Sequence, residues 1–292
     1  MNAFDLTGQE IAIGMMKMPR QNGFALDTQQ LIAHKGGMWG VPLNSLYAYQ
    51  KAFAYGLAIV ECDVQVTSDS IPVNTHDQTI NKYARNPDGT TISSDIYVYN
   101  HTYQELNQYE YGIQYGQQFA GLKLLKIDDL LQYCRMYGLS LQVDTDSTRD
   151  SATHAQLIYE TVKKRKMLDY VIFDCPNTTV AEAYATLDQN LNLLVQNIES
   201  TSAADSLCSQ FGTRCKRLIA GSGVTWTPDK TLVDYVHMLG MGFKANLGDG
   251  NGGYVDFTPG SITPSDVKDL FEIGVDFYVS DNITPEQVLT AN

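Results

Sequence analysis

Short apolar runs of about five to eight residues alternate along the chain with longer stretches in which apolar residues recur at helical spacing. The short runs predict strands at 31–35, 58–66, 139–144, 170–174, 191–196, 217–220, 242–246 and 276–280. The longer stretches predict helices near 44–55, 126–137, 153–167, 179–188, 200–210, 229–239 and 264–273.

Strands that alternate with helices indicate an α/β fold with a parallel sheet, and eight strands are the number that closes a barrel. The pattern therefore predicts a TIM-type (β/α)8 barrel. An open doubly wound sheet is the rival interpretation, but no glycine-rich phosphate loop follows any of the predicted strands.

Three segments stand outside this repeat. Residues 71–75 follow the second predicted strand across a short polar turn, which predicts an added hairpin arm. The stretch at about 78–125 is rich in Tyr, Asn and Gln and is too long for an ordinary loop, so we interpret it as a small insertion after the second strand, on the catalytic face. Residues 1–30 are interpreted as an N-terminal extension packed on a barrel of residues 31–292.

Charge and composition limit the kinds of partner that the protein is expected to bind. The 292-residue chain has 20 basic and 33 acidic residues, a formal net charge of -13 that disfavours binding to nucleic acid. No apolar run approaches the roughly 20 residues of a membrane span. Residues 1–30 lack a signal-peptide pattern, which fits a cytoplasmic protein or an extracellular module whose signal has been removed. The oligomeric state is left open. Of the five cysteines, Cys208 and Cys215 are spaced so that they could pair in an oxidising compartment.

The chemistry-bearing residues lie where predicted strands end. Glu61 and Asp63 alternate along the second strand, so both carboxylates face one side, and Asp144 ends the next barrel strand. Buried together, ionised carboxylates would repel one another, and a divalent cation is the usual remedy. Oxygen ligands favour Mg²⁺ or Ca²⁺ over zinc. The alternative, in which Glu61 and Asp63 face solvent, is disfavoured by the valines at 60, 64 and 66.

Two of the five histidines, His34 and His76, fall at strand ends beside these carboxylates. Cleavage of a phosphodiester requires a base for the attacking oxygen and an acid for the leaving oxygen. His34 and His76 could divide those roles.

Four groups of motif letters occur at spaced positions along the chain. They are H-K-G-G at 34–37, P-L-N-S at 42–45, the block of E-C-D at 61–63, P-V at 72–73 and H-D at 76–77, and G-V-D at 274–276. Together they resemble the H-R-G opening, the P-E-N-T segment, the E-x-D, P-V and H-D block and the closing motif of the glycerophosphodiester phosphodiesterase family, over about residues 30–290.

The resemblance implies a TIM barrel in which His34 and His76 form the acid–base pair and Glu61, Asp63 and Asp144 bind the metal. It also implies metal-dependent hydrolysis of a glycerophosphodiester to an alcohol and a phosphomonoester, with a route through a cyclic phosphate open. Asn44 matches the family and is expected to orient the site.

Two departures from the family pattern concern phosphate binding. Lys35 stands where the family has Arg, which keeps the charge and loses the bidentate fork. Asp146 stands where the family has Lys after the third carboxylate. One interpretation is that another lysine, Lys244 rather than Lys123 or Lys126, supplies the missing charge. In a second, Asp146 binds a second metal or a polyol part of the substrate.

The third interpretation is that the phosphate chemistry is lost and the barrel binds a glycan, a teichoic-acid-like polymer or a protein partner. Aromatic residues in the presumed catalytic-side loops could wall a groove for such a polymer, although packing of the insertion onto the barrel is the favoured explanation. They are Trp39, Tyr83, Tyr97, Tyr99, Tyr103, Tyr111 and Tyr115. A phospholipase D-like enzyme for lipid head groups would need an apolar rim that the sequence does not indicate.

Overall fold

The computed structural model describes residues 30–37, 40–145, 150–223, 229–246, 268–269 and 271–280, together with two short N-terminal strands. In chain order the strands are β1 (Ala3–Phe4), β2 (Glu10–Ile11), β3 (Gln30–Ala33), β4 (Ile59–Val66), β5 (Pro72–Asn74), β6 (Ser140–Thr145), β7 (Val171–Cys175), β8 (Asn192–Val195), β9 (Arg217–Gly221), β10 (Gly242–Asn246) and β11 (Phe277–Ser280). The helices are α1 (Leu46–Ala54), α2 (Tyr103–Leu106), α3 (Ile127–Tyr137), α4 (Ser151–Lys164), α5 (Thr178–Leu187), α6 (Thr201–Phe211) and α7 (Lys230–Met238).

Eight parallel strands close into a barrel, which confirms the predicted TIM-type fold. The sheet runs β3-β11-β10-β9-β8-β7-β6-β4, and a further pairing of β3 with β4 closes it. Ile32 and Ala33 of β3 lie opposite Ile59 and Val60 of β4 in that closing pair. Helices α3 to α7 follow or precede these strands on the outside, as the alternation of the sequence predicts.

The second half of β4 carries the predicted hairpin arm. β5 pairs antiparallel with β4, in a register that places Asn74 opposite Val64 and Pro72 opposite Val66. The residues that follow enclose an apolar cluster of their own, beside β5 rather than inside the barrel. Its buried members are Val73, Ile80, Ala84, Ile92, Val98, Leu106, Tyr111 and Leu124.

The predicted elements match the observed ones except at their ends, with one correction that bears on the site. Lys35 was expected in the first barrel strand, but β3 ends at Ala33 and residues His34–Gly36 form a 3-10 turn. Of the helix predicted near 264–273, only residues 268–269 and 271–273 are described. All five cysteines are unpaired, so Cys208 and Cys215 form no disulfide. Within the described parts of the chain, every helix is too short or too polar to cross a bilayer.

The barrel interior has an apolar layer and, nearer the carboxyl ends of the strands, a polar layer. Both layers are built from the inward-facing side chains, which are every second residue of a strand. One apolar cluster fills the interior with side chains from six strands, namely Ile32, Ile59, Ile172, Leu194, Ile219, Phe277 and Val279. Residues two or four positions further along the same strand faces, such as Glu61 and Asp63 after Ile59, point to the same side. The intervening Val60 and Cys62 belong to the outer core beneath the helices. The polar layer therefore lies at the carboxyl ends of the strands.

Candidate active site

A tight turn after β3 brings the first predicted site residues together. Lys35 has a left-handed backbone (φ 52°), a conformation that costs a non-glycine residue about 1–2 kcal/mol. Its backbone N–H donates to Oε2 of Glu61 at 2.7 Å, a buried hydrogen bond to a carboxyl group. Such bonds contribute about 1.5–3 kcal/mol when the carboxyl is ionised, which offsets the strain. Gly36 follows because a Cβ there would lie 2.4 Å from the Cβ of Ala48.

Carboxylates from three neighbouring strands lie side by side in the polar layer, next to the apolar cluster that fills the barrel interior. Asp63 of β4 is the register partner of Asp144 of β6, which in turn is the partner of Asp174 of β7. Burial, and then the charges of Asp63 and Asp144, raise the pKa of Glu61 well above its usual value. Burial, and then Asp174 and Asp63, likewise raise the pKa of Asp144. The row is therefore energetically unfavourable until a cation joins it.

The residues present fit a divalent cation. His34, Glu61 and Asp63 are buried and offer ligand atoms that all lie within 4.8 Å of one another. The Nε2 atom of His34 is 3.9 Å from Oε2 of Glu61. Two of the three predicted ligands thus come together with a histidine, and Asp144 stands beside Asp63 in the sheet. The structure brings the predicted metal-binding residues to one place.

The charges of the polar layer lead to the same conclusion. Among the described residues, four carboxylates line this layer, those of Glu61, Asp63, Asp144 and Asp174, and two lysines face them, Lys35 and Lys244. If all four carboxylates are ionised, four negative and two positive charges leave an excess of two negative charges, which one divalent cation would neutralise.

Asn44 fixes one of the carboxylates. Its Nδ2 donates to Oδ2 of Asp63 at 2.8 Å, and the Lys35 Nζ lies 3.8 Å from the same oxygen. Asn44 is itself held, because Tyr49 donates its hydroxyl to Oδ1 at 3.2 Å and Asn74 donates to the Asn44 carbonyl at 3.1 Å. The backbone of Asn44 is left-handed (φ 57°), a conformation that Asn tolerates better than most residues. The carboxylate of Asp63 is therefore oriented before any ligand arrives.

His76 lies after the hairpin arm and is oriented through Asp77. Its Nδ1 is 2.7 Å from Oδ1 of Asp77, which also accepts the Tyr83 hydroxyl at 3.1 Å. Partial burial acts to raise the pKa of Asp77, but the hydrogen bonds from His76 and Tyr83 lower it overall. An ionised Asp77 can only accept, so Nδ1 carries the proton and Nε2 is the atom left for chemistry. The imidazole side chain is 41% exposed.

The three candidate replacement lysines occupy different places. Lys244 is 2% exposed on β10, inside the barrel, with Nζ 3.6 Å from Oδ2 of Asp174. Lys123 donates to the Tyr109 carbonyl at 3.2 Å, and Lys126 lies over the Tyr103 ring at 4.2 Å. Lys123 and Lys126 thus contact residues of the 78–125 stretch, and Lys244 alone of the three lies among the carboxylates. Asp146 and Trp39 lie outside the described residues.

Sequence reasoning missed the residues that support the site. Asp174 and Asp77 each contact a predicted site residue, as do Tyr49 and Asn74, and Tyr83 contacts Asp77. Asp174 had a readable signal, because it ends its predicted strand just as Asp144 does. Asp77 had one as well, because it follows His76 directly in the H-D letters, and Tyr83 was among the loop aromatic residues. Tyr49 and Asn74 had none, since the contacts of Asn74 join segments that only the fold brings together.

Comparison with known proteins gives consistent results. The sequence profile of the Glycerophosphoryl diester phosphodiesterase family matches residues 34–245, well over half of the chain. The chain is 32% identical over 94 residues to Glycerophosphodiester phosphodiesterase of Caldanaerobacter subterraneus subsp. tengcongensis, which is 32% of this chain and 35% of that protein. It is 29% identical over 131 residues to human Glycerophosphodiester phosphodiesterase 1, covering 44% and 37%. The matches thus span little more than a third of these relatives.

Solved structures resemble the whole barrel. A phosphodiesterase of Oleispira antarctica, in complex with the product sn-glycerol-3-phosphate, superposes with a TM-score of 0.72 at 20% identity, covering 90% of this chain and 96% of that one. A Glycerophosphoryl diester phosphodiesterase from Parabacteroides distasonis superposes with a TM-score of 0.69 at 19% identity, covering 92% and 88%. At these identities the likeness establishes a shared fold.

Proposed function

The chain belongs to the glycerophosphoryl diester phosphodiesterase family, and we propose that it hydrolyses a glycerophosphodiester to an alcohol and a phosphomonoester with a divalent cation. The observation that carries the proposal is the approach of His34 to the buried carboxylates of Glu61 and Asp63, at the carboxyl end of the barrel. This is the end at which TIM barrels place their chemistry.

The acid–base work is assigned to the two histidines. One of His34 and His76 takes the proton from the attacking oxygen as that oxygen bonds to phosphorus. The other gives a proton to the ester oxygen as its bond to phosphorus breaks, so the alcohol leaves neutral. The bond between Asp77 and Nδ1 of His76 leaves proton transfer to Nε2.

The cation would be held by Glu61, Asp63 and Asp144, with Lys35 beside Asp63. Carboxylate ligands suit hard ions such as Mg²⁺ or Ca²⁺. When bound, such an ion polarises the phosphoryl oxygens and offsets the negative charge that builds on them. Lys35 and Lys244 add positive charge for the phosphate, and Asn44 keeps the Asp63 oxygens in position.

The test is hydrolysis of bis-p-nitrophenyl phosphate and of small glycerophosphodiesters, measured with Mg²⁺, Ca²⁺, Mn²⁺ or EDTA. We expect turnover that requires a divalent ion and falls by about 100-fold or more in His34→Ala and His76→Ala, the range that loss of general acid–base catalysis produces. His101→Ala is the matched control. Its ring nitrogen contacts the Tyr97 carbonyl at 2.9 Å, away from the carboxylates, and its activity should equal that of the unaltered protein.

Turnover that persists in EDTA, or in both histidine variants, would contradict the assignment. Absence of turnover on every diester with every ion would count against hydrolysis itself. In that case a barrel that only binds phosphate-containing ligands becomes the better description.

A further inference from the structure

Lys244 and Asp174 form a buried ion pair across the inside of the barrel. Lys244 is on β10 and Asp174 on β7, and two strands, β8 and β9, separate them in the sheet. Nζ nevertheless lies 3.6 Å from Oδ2, so the lysine side chain crosses the interior to reach its partner. Both side chains are almost fully buried, at 2% and 1% exposure. A buried ammonium group without a partner would be strongly disfavoured.

Asp174 is fixed on both of its oxygens. Gln142 donates Nε2 to Oδ2 at 2.7 Å, and Gln196 donates Nε2 to Oδ1 at 2.9 Å. The carboxylate can therefore neither rotate nor swing away without breaking a buried hydrogen bond. The other amide atom of Gln142, Oε1, is buried and has no hydrogen-bond partner within the described ranges. This unpaired acceptor is suited to a hydroxyl group of a bound ligand or to a water molecule beside that ligand.

The pair stands at one end of the row of carboxylates. Asp63, Asp144 and Asp174 follow one another across three neighbouring strands. Lys35 approaches the Asp63 end, with Nζ at 3.8 Å, and Lys244 approaches the Asp174 end. A phosphate group held above the middle of this row would have an ammonium group on either side. Lys35 is held by its own turn, whereas Lys244 depends on a partner three strands away.

We infer that Asp174, itself fixed by Gln142 and Gln196, is a positioning residue that holds the Lys244 ammonium group toward the phosphate of the substrate. The inference rests on the proposed function, since it assigns the second cation of that same phosphate site. Asp174 acts through Lys244 and does not itself touch the phosphate. Its removal should therefore matter only while the lysine is present.

The experiment is a double-mutant cycle with Asp174→Asn, Lys244→Met and the combined variant. Two properties are measured at saturating divalent ion. The first is turnover of a glycerophosphodiester, as kcat/KM with kcat and KM determined separately, and the second is the affinity for sn-glycerol-3-phosphate by calorimetry. Asn keeps the shape of Asp174, and the open Oε1 of Gln142 lets that amide turn to accept from it. If Lys244→Met does not fold, Lys244→Gln takes its place, and unfolding temperatures are recorded for every variant.

We expect each single substitution to lower kcat/KM by about 100-fold, as loss of one charge-stabilising group does. The affinity for sn-glycerol-3-phosphate should fall in parallel by about tenfold or more. The combined variant should be no worse than Lys244→Met, and Lys244→Arg should recover most of the affinity because it keeps the charge. The matched control is the exposed pair of Lys216 and Asp169, with Nζ 2.6 Å from Oδ1, where Asp169→Asn should change neither quantity.

Full additivity in the cycle, or an Asp174→Asn variant with unaltered product affinity, would overturn the inference. A loss of activity that follows only the unfolding temperature would do the same. If the unaltered protein binds sn-glycerol-3-phosphate but turns over no diester, the proposed function fails while the binding cycle still decides the role of Asp174. Absence of binding by the unaltered protein with metal overturns both.

Discussion

Asp63 and Asp144 are register partners on β4 and β6, so their carboxylates extend from neighbouring strands on the same side of the sheet. Adjacent strands are about 4.8 Å apart, which leaves two like charges close together in a largely buried layer. Glu61 adds a third carboxylate two residues before Asp63. This arrangement lowers the stability of the metal-free barrel, and it becomes favourable once the carboxylates share a divalent cation.

Stability should therefore depend on pH and metal together. Burial and neighbouring carboxylates raise the pKa of Glu61 and of Asp144 in the folded protein. When the pKa of a carboxyl group is raised in this way, the folded state keeps a proton that the unfolded state releases above about pH 4. Metal-free stability should then fall as pH increases from that value toward the raised pKa values. Bound metal should remove this loss.

Thermal unfolding with and without Mg²⁺ or Ca²⁺, at pH 5 and pH 8, measures the effect. We expect the metal to raise the unfolding temperature more at pH 8, by at least about 3 °C, the shift that ~1 kcal/mol produces in a large domain. Glu61→Gln removes one titrating carboxyl group and should flatten the metal-free dependence. An equal gain from metal at both pH values would argue against the linkage.

The strand faces could be predicted from the sequence, and contacts across the barrel could not. The alternation of Val60, Glu61, Cys62 and Asp63 fixes which side chains face inward, whatever the partners of the strand are. The pairing of Lys244 with Asp174 depends instead on the barrel radius and on strands in between, which no local pattern encodes. The sequence predicts a first strand that continues to Lys35, whereas β3 ends at Ala33. The turn that replaces the end of this strand is stabilised by the hydrogen bond from Lys35 to Glu61, and no local pattern indicates that bond because the two residues are far apart in the sequence.

Asn44 tests how far a supporting amide determines metal binding. Asn44→Gly removes the donor to Asp63 and keeps the left-handed backbone without steric strain, because glycine adopts that conformation freely. We expect the metal affinity to fall by about 10- to 100-fold, the range for residues that orient metal ligands. Calorimetric titration with Ca²⁺ or Mg²⁺ measures it. Asn44→Ala should lose the same affinity and additional stability, and an unchanged affinity in both variants would show that Asp63 is oriented by other contacts.

Asp77 tests the orientation of His76. In Asp77→Asn the side chain can present a donor to Nδ1, which permits the tautomer with its proton on Nε2 and makes that atom a poorer base. We expect kcat to fall by at least about tenfold with little change in KM, together with a displaced pH–rate profile. Tyr83→Phe removes the second donor to Asp77 and should have a smaller effect in the same direction. A pH profile identical to that of the unaltered protein would leave Asp77 a purely structural role.

Gly36, in the turn that follows β3, packs closely against α1. Gly36 has φ 88° and faces Ala48 of α1, so an added Cβ would lie 2.4 Å from the Ala48 Cβ and 2.9 Å from its carbonyl carbon. Gly56 offers a matched control, because it has nearly the same backbone (φ 86°) and nothing lies within 4 Å of its added Cβ. Both alanine variants suffer the left-handed strain, and only Gly36→Ala adds a steric clash.

Gly56→Ala should lower the free energy of unfolding by about 1 kcal/mol, the cost of the backbone alone. Gly36→Ala should lower it by about 3 kcal/mol, because overpacking adds about 1–3 kcal/mol. Denaturant unfolding measures both values. Relief of the clash would move α1 away from the turn that carries His34 and Lys35, so Gly36→Ala should also weaken metal binding, while Gly56→Ala should not. Equal destabilisation by the two variants would mean that α1 can move without cost and that the turn does not hold the site against it.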